Sequence, residues 1–336
     1  MPLDPKNTAH FDPERVRRAE ALARLAPMPA RVGKVRFGSA SWTDPTLVRS
    51  GLFYPAVAKT PEARLRYYAQ HFSMVEVDAS YYALPTKEQC EAWALRTPPG
   101  FVFDIKAFSA MTGHGVDLRA LPSDLKESLP VSLSRKSRAR TEALPASLVD
   151  ACWTRFADAL APLREAGKLG AVFLQYPPWF DATRGHARII EEARERLPDC
   201  PLAVEFRHAS WVALPRVDRV VDLLKSLDIS WVAVDTPQCG DSALPPVPRV
   251  ASTRLAVVRF HGRNSATWDA GVSTAAERFD WLYDTVELAS WVEPIQSLMD
   301  EANEVHVVMN NCTYNAAQLN GKGMAALLSS SEREEG

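Results

Sequence analysis

The stretch Leu202-Ala203-Val204-Glu205-Phe206-Arg207-His208 starts as an apolar run and ends in ionisable residues. A short apolar run of this kind suits a strand covered on both faces, as in a parallel sheet flanked by helices. Working outward along the chain, the 202–206 run is one of eight. The others are 35–39, 74–78, 102–106, 171–175, 230–234, 256–260 and 305–309. Polar loops and stretches of helical periodicity separate them. Eight strand–helix alternations within 336 residues favour a closed sheet over a doubly wound one. The expected fold is α/β: a (β/α)8 TIM barrel in a single domain, with a short N-terminal helical extension. No G-x-G-x-x-G follows the first strand and no Walker A loop occurs. Dinucleotide and P-loop folds therefore lack their phosphate-binding element.

The helical stretches carry start and stop signals. Thr60 and Pro61 make an N-cap and first-turn pair, with Leu65, Tyr68, Ala69 and Phe72 on one face. Thr86 and Gln89 spell a capping box. Ser147 is expected to open a helix bearing Leu148, Cys152, Phe156 and Leu160, closed by Gly167. Val217, Val220, Val221 and Leu224 follow the fifth strand. Leu288, Val292, Ile295 and Met299 precede the eighth, and a helix over 315–328 ends the fold. Residues 1–31 read as the extension, with a charged helix over 13–25 whose arginines form a solvated face. Residues 32–330 read as the barrel and 331–336 as a tail. Segment 108–145 is rich in Ser, Pro, Arg and Lys, without periodicity, and is too long for an ordinary barrel loop. It reads as an insertion or lid whose Arg135, Lys136, Arg138 and Arg140 are mainly solvated.

Composition narrows the partners. Hydrophobic residues make up 46% and charged residues 24%, and 39 basic against 41 acidic residues leave a formal charge of −2. Such a balance gives no global electrostatic case for nucleic acid or a membrane surface. Five dispersed cysteines without a C-x-x-C pair argue against a disulfide framework or a structural zinc site. Asp4, Asp12, Glu14 and Glu20 interrupt the first 30 residues, so no signal peptide is read there, and no apolar run is long enough to span a membrane. The expected compartment is the cytoplasm.

In a barrel of this kind reactive groups come from the carboxyl ends of several strands, while the interior is packed with apolar side chains. Here the runs end in Ser39, Ser41 and Trp42; Glu76, Asp78 and Ser80; Lys106; Gln175; Glu205, Arg207 and His208; Asp235; Arg259, His261 and Arg263; and Asn310 and Asn311. Residues two apart on a strand share a face, which pairs Glu76 with Asp78, Glu205 with Arg207, and Arg259 with His261. Charge in the helix-packing layer is costly to desolvate, so a shared polar pocket at the mouth is expected. Buried ion pairs that merely fill the top layer are the competing reading.

Lys106, Arg207, Arg259 and Arg263 are the expected anion binders, and Gln175 and Asn310 the hydrogen-bonding groups. His261 or Glu205 would move a proton, with Glu76 and Asp235 orienting the cations. Trp42 and Tyr81, beside Tyr82, Phe108, Tyr176 and Trp179, could stack on a base or sugar. His208 reads as a loop or helix-start histidine. No cofactor and no metal ligand is assigned. A divalent ion among Glu76, Asp78, Glu205, Asp235 and His261 stays open, with the nearby cations competing for the carboxylates.

An ordered series of segments resembles the YecE-like family, also called domain of unknown function 72. The segments include Gly38-Ser39-Ala40-Ser41-Trp42, Phe53-Tyr54-Pro55, Val75 to Tyr82 with Leu84-Pro85, and Pro99-Gly100-Phe101 through Lys106. Further on come Gln175-Tyr176-Pro177-Pro178, Glu205-Phe206-Arg207-His208 with Ser210-Trp211, His261-Gly262-Arg263-Asn264 after Arg259, and Asn310-Asn311 with Asn315-Ala316. The resemblance implies a TIM barrel and no established activity. The chain departs from the family pattern in having Asp78 where Asn is usual. It also has Gly113 between Thr112 and His114, where the pair is usually adjacent, which puts any role of His114 in doubt.

These readings converge on an enzyme acting on an anionic, phosphate-containing substrate such as a nucleotide, nucleic acid or sugar phosphate. Two alternatives stay open: a non-catalytic ligand-binding or regulatory module using the same pocket, and a metal-dependent sugar isomerase or hydrolase. The expected partner is a small anionic ligand or nucleic acid, with no membrane and no obligate protein partner.

Overall fold

A computed structural model describes residues 11–239, 243–268 and 275–335. The chain divides into two compact units, residues 1–75 with 230–336 and residues 76–229. In chain order the strands are β1 (Arg31–Val32), β2 (Val35–Ser39), β3 (Met74–Val77), β4 (Val102–Lys106), β5 (Gly115–Asp117), β6 (Arg138–Arg140), β7 (Leu169–Gln175), β8 (Leu202–Glu205), β9 (Ile229–Asp235), β10 (Ala256–Phe260) and β11 (Val305–Met309). Every expected run is a strand, with ends displaced by two residues or fewer. The α/β class and the parallel ladders agree with the sequence, whereas closure into one barrel is contained in neither ladder.

In the first unit the order is β1-β2-β11-β10-β9. All pairs are parallel except the short β1, which runs antiparallel to β2. Register brings the strand ends level: Ser39 lies opposite Met309, Met309 opposite Phe260, and Phe260 opposite Asp235. Val35, Phe37, Val258, Phe260, Val305 and Val307 are fully buried, as strands covered on both faces require. Full burial of such a side chain stabilises the fold by about 1.5–3 kcal/mol relative to exposure.

The extension helix Pro13–Ala23 belongs to this unit. Asp12 caps it, its carboxylate accepting from the backbone N–H groups of Glu14 and Arg15 at 3.0 Å each. Ala19 packs with Leu282 and Ala316. Arg17 and Arg18 are exposed and paired with Glu14, as expected of a solvated face. Arg15 differs: it donates to the Leu282 carbonyl at 2.6 Å and to Glu287 at 2.5 Å, fastening the helix to the chain's far end.

In the second unit the parallel order is β8-β7-β4. Gln175 lies opposite Glu205, and Lys106 opposite Phe173 two residues earlier on β7. Thr86 and Gln89 form the capping box. The helix expected from Ser147 spans Ala146–Ala159 and stops at Leu160; a separate turn, Ala161–Glu165, follows because Pro162 has no N–H for the ladder.

Segment 108–145 is folded, contrary to its aperiodic sequence. β5 and β6 pair antiparallel, joined by the short helices Ser123–Glu127 and Val131–Ser134. Val116, Leu118, Leu121, Leu125, Leu133 and Leu144 are buried beneath them. The stretch before β11 is likewise two helices, Thr285–Ala289 and Val292–Glu301, and the last helix runs over Ala316–Glu335. Among the described residues no helix is long and apolar enough to cross a membrane.

Candidate functional site

The strand ends of the second unit gather a compact polar cluster. Lys106, the last residue of β4, holds its ammonium 4.7 Å from the centroid of the Tyr81 ring, a cation–π distance. The Ser80 hydroxyl, 2.6 Å from the Lys106 carbonyl and 2.7 Å from that of Val77, ties the turn after β3 to β4. Tyr81 in turn meets the His114 imidazole edge to face, with centroids 5.2 Å apart. Just beyond β8, Arg207 places its Nε 2.6 Å from Oε1 of the fully buried Glu205. The two atoms form an ion pair without hydrogen-bond geometry, so the carboxylate offsets the charge of the guanidinium.

His114 sits among these cations. Burial first, then the charges of Lys106 and Arg207, push its pKa down to about 4. The imidazole is therefore neutral near pH 7, with its Nδ1 2.9 Å from the Thr112 hydroxyl. Gly113 makes this possible: its φ is +75°, and a Cβ there would lie 3.0 Å from the Trp179 ring. The intervening glycine thus turns the backbone and lets the indole lie close. The structure places His114 beside Tyr81 and Thr112 in this cluster. Burial also drives Tyr81 up to about 12, so it stays a phenol. Glu76 is fully buried on β3, and Gln175, at the end of β7, is half-buried.

The first unit carries a different constellation. Asp235, the last residue of β9, accepts from Arg263 at 2.9 Å (Nε) and 2.6 Å (Nη2). It also accepts from the Tyr283 hydroxyl at 2.6 Å and the Trp291 indole at 2.7 Å. The same hydroxyl accepts from the Gly262 N–H at 2.9 Å. Gly262 has φ +88°, and a Cβ there would be 2.8 Å from Trp281 Cβ, so the turn after β10 requires glycine. Arg263 borders a cavity of about 380 Å³ lined in part by Thr236, Gln238 and Ser265. Asp235 is thus held against the Arg263 guanidinium.

His261 is fully buried, its Nδ1 2.8 Å from the Asn310 amide and its ring against Trp268 and Phe279. Arg259 is 2% exposed. Trp42 is also buried, and its indole donates to the Pro61 carbonyl at 3.2 Å, which makes it a packing residue. Tyr176 is buried with its ring 4.0 Å from Phe180, whereas Trp179 and Tyr82 are exposed. His208 caps the turn Ala209–Trp211, as its place after β8 suggests.

Among the described residues no group of three or more His, Cys, Asp or Glu side chains is gathered as a metal site would need. The carboxylates of Asp235 and Glu205 are instead engaged by Arg263 and Arg207.

An α/β chain with ionisable groups at the carboxyl ends of parallel strands is the class these features define. The chain belongs to the protein family of unknown function DUF72, which matches residues 36–335. It is 30% identical over 297 residues to the UPF0759 protein YunF of Bacillus subtilis strain 168, covering 88% of this chain and 94% of that one. Solved structures agree. A DUF72 protein of Enterococcus faecalis V583 (EF0366) superposes with a TM-score of 0.69 at 27% identity, over 88% of this chain and 95% of the other. One from Thermotoga maritima MSB8 (TM1631) gives 0.65 at 26% identity, over 90% and 99%.

Proposed function

We propose that the protein is an enzyme acting on a phosphate-containing substrate, such as a nucleotide, nucleic acid or sugar phosphate. Lys106 and Arg207 bind the phosphoryl group and His114 is the proton carrier. Closure of the eight strands into a (β/α)8 barrel is part of the same proposal. The observation that carries the reading is the His114 imidazole packed 5.2 Å from the Tyr81 ring on which Lys106 also rests, with its pKa pushed down to about 4 by burial and then by the charges of Lys106 and Arg207. An anion arriving between those cations cancels their effect and raises the proton affinity of His114. Substrate binding thereby moves the imidazole towards the range where it can take and return a proton. Glu205 offsets the charge of Arg207, and Tyr81 walls the site on the Lys106 side.

The test uses the full chain with a panel of phosphoesters, p-nitrophenyl phosphate, nucleoside monophosphates, glucose 6-phosphate and single-stranded DNA, followed by phosphate release and mass spectrometry. Turnover of one of these, lowered roughly 10²–10⁴-fold in His114→Gln, is the expected result. Inorganic phosphate should also raise the melting temperature, and Lys106→Gln should diminish that rise. Stabilisation by phosphate without any product would overturn the enzymatic reading in favour of a binding module. No stabilisation at all would remove the anion site.

A further inference from the structure

Two aromatic side chains beside the Lys106–His114–Arg207 cluster are turned to solvent. Among the described residues, Tyr82 at 62% and Trp179 at 52% are the exposed members of the Phe, Tyr and Trp set. Both belong to the second unit. One exposed ring needs no explanation, whereas two flanking a single ionisable cluster mark an interaction site.

The backbone displays both rings deliberately. Trp179 stands in the turn after β7, where the Phe180 N–H donates to the Pro177 carbonyl at 3.0 Å and the Phe180 ring is buried as the anchor. Tyr82 closes the turn Ala79–Tyr81 after β3, its N–H donating to the Ala79 carbonyl at 3.0 Å. Contacts run in series from one ring to the other. The indole lies against Gly113, which precedes His114. The His114 ring meets Tyr81 at 5.2 Å, and Tyr81 meets Tyr82 edge to face at 5.0 Å. Lys106, resting on Tyr81, therefore stands within this series and not at its edge.

A further cation borders the Tyr82 end. Arg138, on β6, is exposed, and its charge acts on both Tyr81 and Tyr82. Asp117, its partner in the ladder, has its two oxygens taken by Arg119 at 2.9 and 2.7 Å. The charge of Asp78 also acts on Tyr82, so attraction here is not uniform. Such a surface suits a ligand held by stacking as much as by charge.

We propose that the ligand of this site is a short single-stranded nucleic acid, with bases laid on Trp179 and Tyr82, a backbone phosphate at Lys106 and Arg207, and a neighbouring phosphate at Arg138. The inference rests on the phosphate reading of the same cluster and narrows it. A sugar phosphate has no aromatic face to offer, and a mononucleotide brings one base for two rings. Duplex DNA has its base faces covered by its own stack, whereas a single strand leaves them open.

Fluorescence anisotropy of the full-length protein with a labelled oligothymidylate tests this. The competitors are the unlabelled strand, a tetrahydrofuran abasic strand of equal length, thymidine monophosphate and a duplex. The unlabelled strand should compete at least tenfold better than each of the others, since stacking on an aromatic side chain contributes roughly 5- to 150-fold per base. Trp179→Ala and Tyr82→Ala should each weaken the strand by roughly tenfold. Arg138→Gln should flatten the slope of log affinity against log salt by about 0.7, as loss of one phosphate contact does. Equal competition by the abasic strand or by the duplex, or no binding of oligothymidylate, would overturn the inference. The effect of inorganic phosphate on melting temperature is read on the same unaltered protein. Phosphate stabilisation without base selectivity overturns this inference alone, and absence of both removes the site with it.

Discussion

Asp235 ends a parallel strand, paired with an arginine, and His114 lies half-buried within the electrostatic reach of Lys106 and Arg207, yet their surroundings are opposite in kind. Both Asp235 oxygens are engaged, by Arg263, Tyr283 and Trp291, and nothing remains for a substrate. Burial, and then the charges of Lys106 and Arg207, lower His114 to a pKa near 4, so that it is neutral at pH 7. The first arrangement holds a shape, and the second is poised to respond to an anion. Ionisable residues at strand ends thus divide into those whose charge is already answered and those whose charge state a ligand would change.

Removing one side of the answered cluster should have the largest effect. Asp235→Ala leaves a guanidinium, a buried phenol and a buried indole without their acceptor. Breaking a buried ion pair from one side costs about 3–5 kcal/mol, so a fall of that size in urea unfolding is expected. A loss below about 1 kcal/mol would mean that Arg263 and Tyr283 find other partners.

Gly113→Ala should be milder. A left-handed conformation costs an L-residue roughly 1–2 kcal/mol, and the new Cβ would press on Trp179. The variant should lose about that much stability and, because His114 follows immediately, part of the thermal shift given by phosphate. An unchanged phosphate response would show that the turn does not place the imidazole.

A further effect is pH-dependent and shows as a slope. His114 and His71 both have folded pKa values lowered to about 4 from an ordinary 6.5. Between those limits the unfolded chain binds protons that the folded chain refuses, so stability falls as pH drops from about 6.5 to about 4. Above about 6.5 both states are neutral and the contribution vanishes. In His114→Gln the slope of unfolding free energy against pH in that window should be shallower. An identical slope would mean that the residue titrates normally.

Much of this was legible in the sequence, for definable reasons. The strands showed because continuous apolar runs have few other uses in an α/β chain. The caps at Thr60 and at Thr86 with Gln89 showed because their chemistry is local. The polar strand ends were visible as types, but not their division into answered and responsive. Tyr283 and Trp291 lie 48 and 56 residues beyond Asp235 and follow no motif that ties them to it. β5 and β6, three residues each, are too short for periodicity to register. The glycine between Thr112 and His114 reads in sequence as a break in the family pattern, and its positive φ cannot be read there. In the extension, Arg15 differs from Arg17 and Arg18 only by a buried contact that the local charge pattern does not encode.

An NMR titration of His114, assigned with His114→Gln, should give a pKa near 4 in the protein alone, rising by about one unit or more in saturating inorganic phosphate. A value near 6.5 without phosphate, or a low value that phosphate leaves unmoved, would contradict the account.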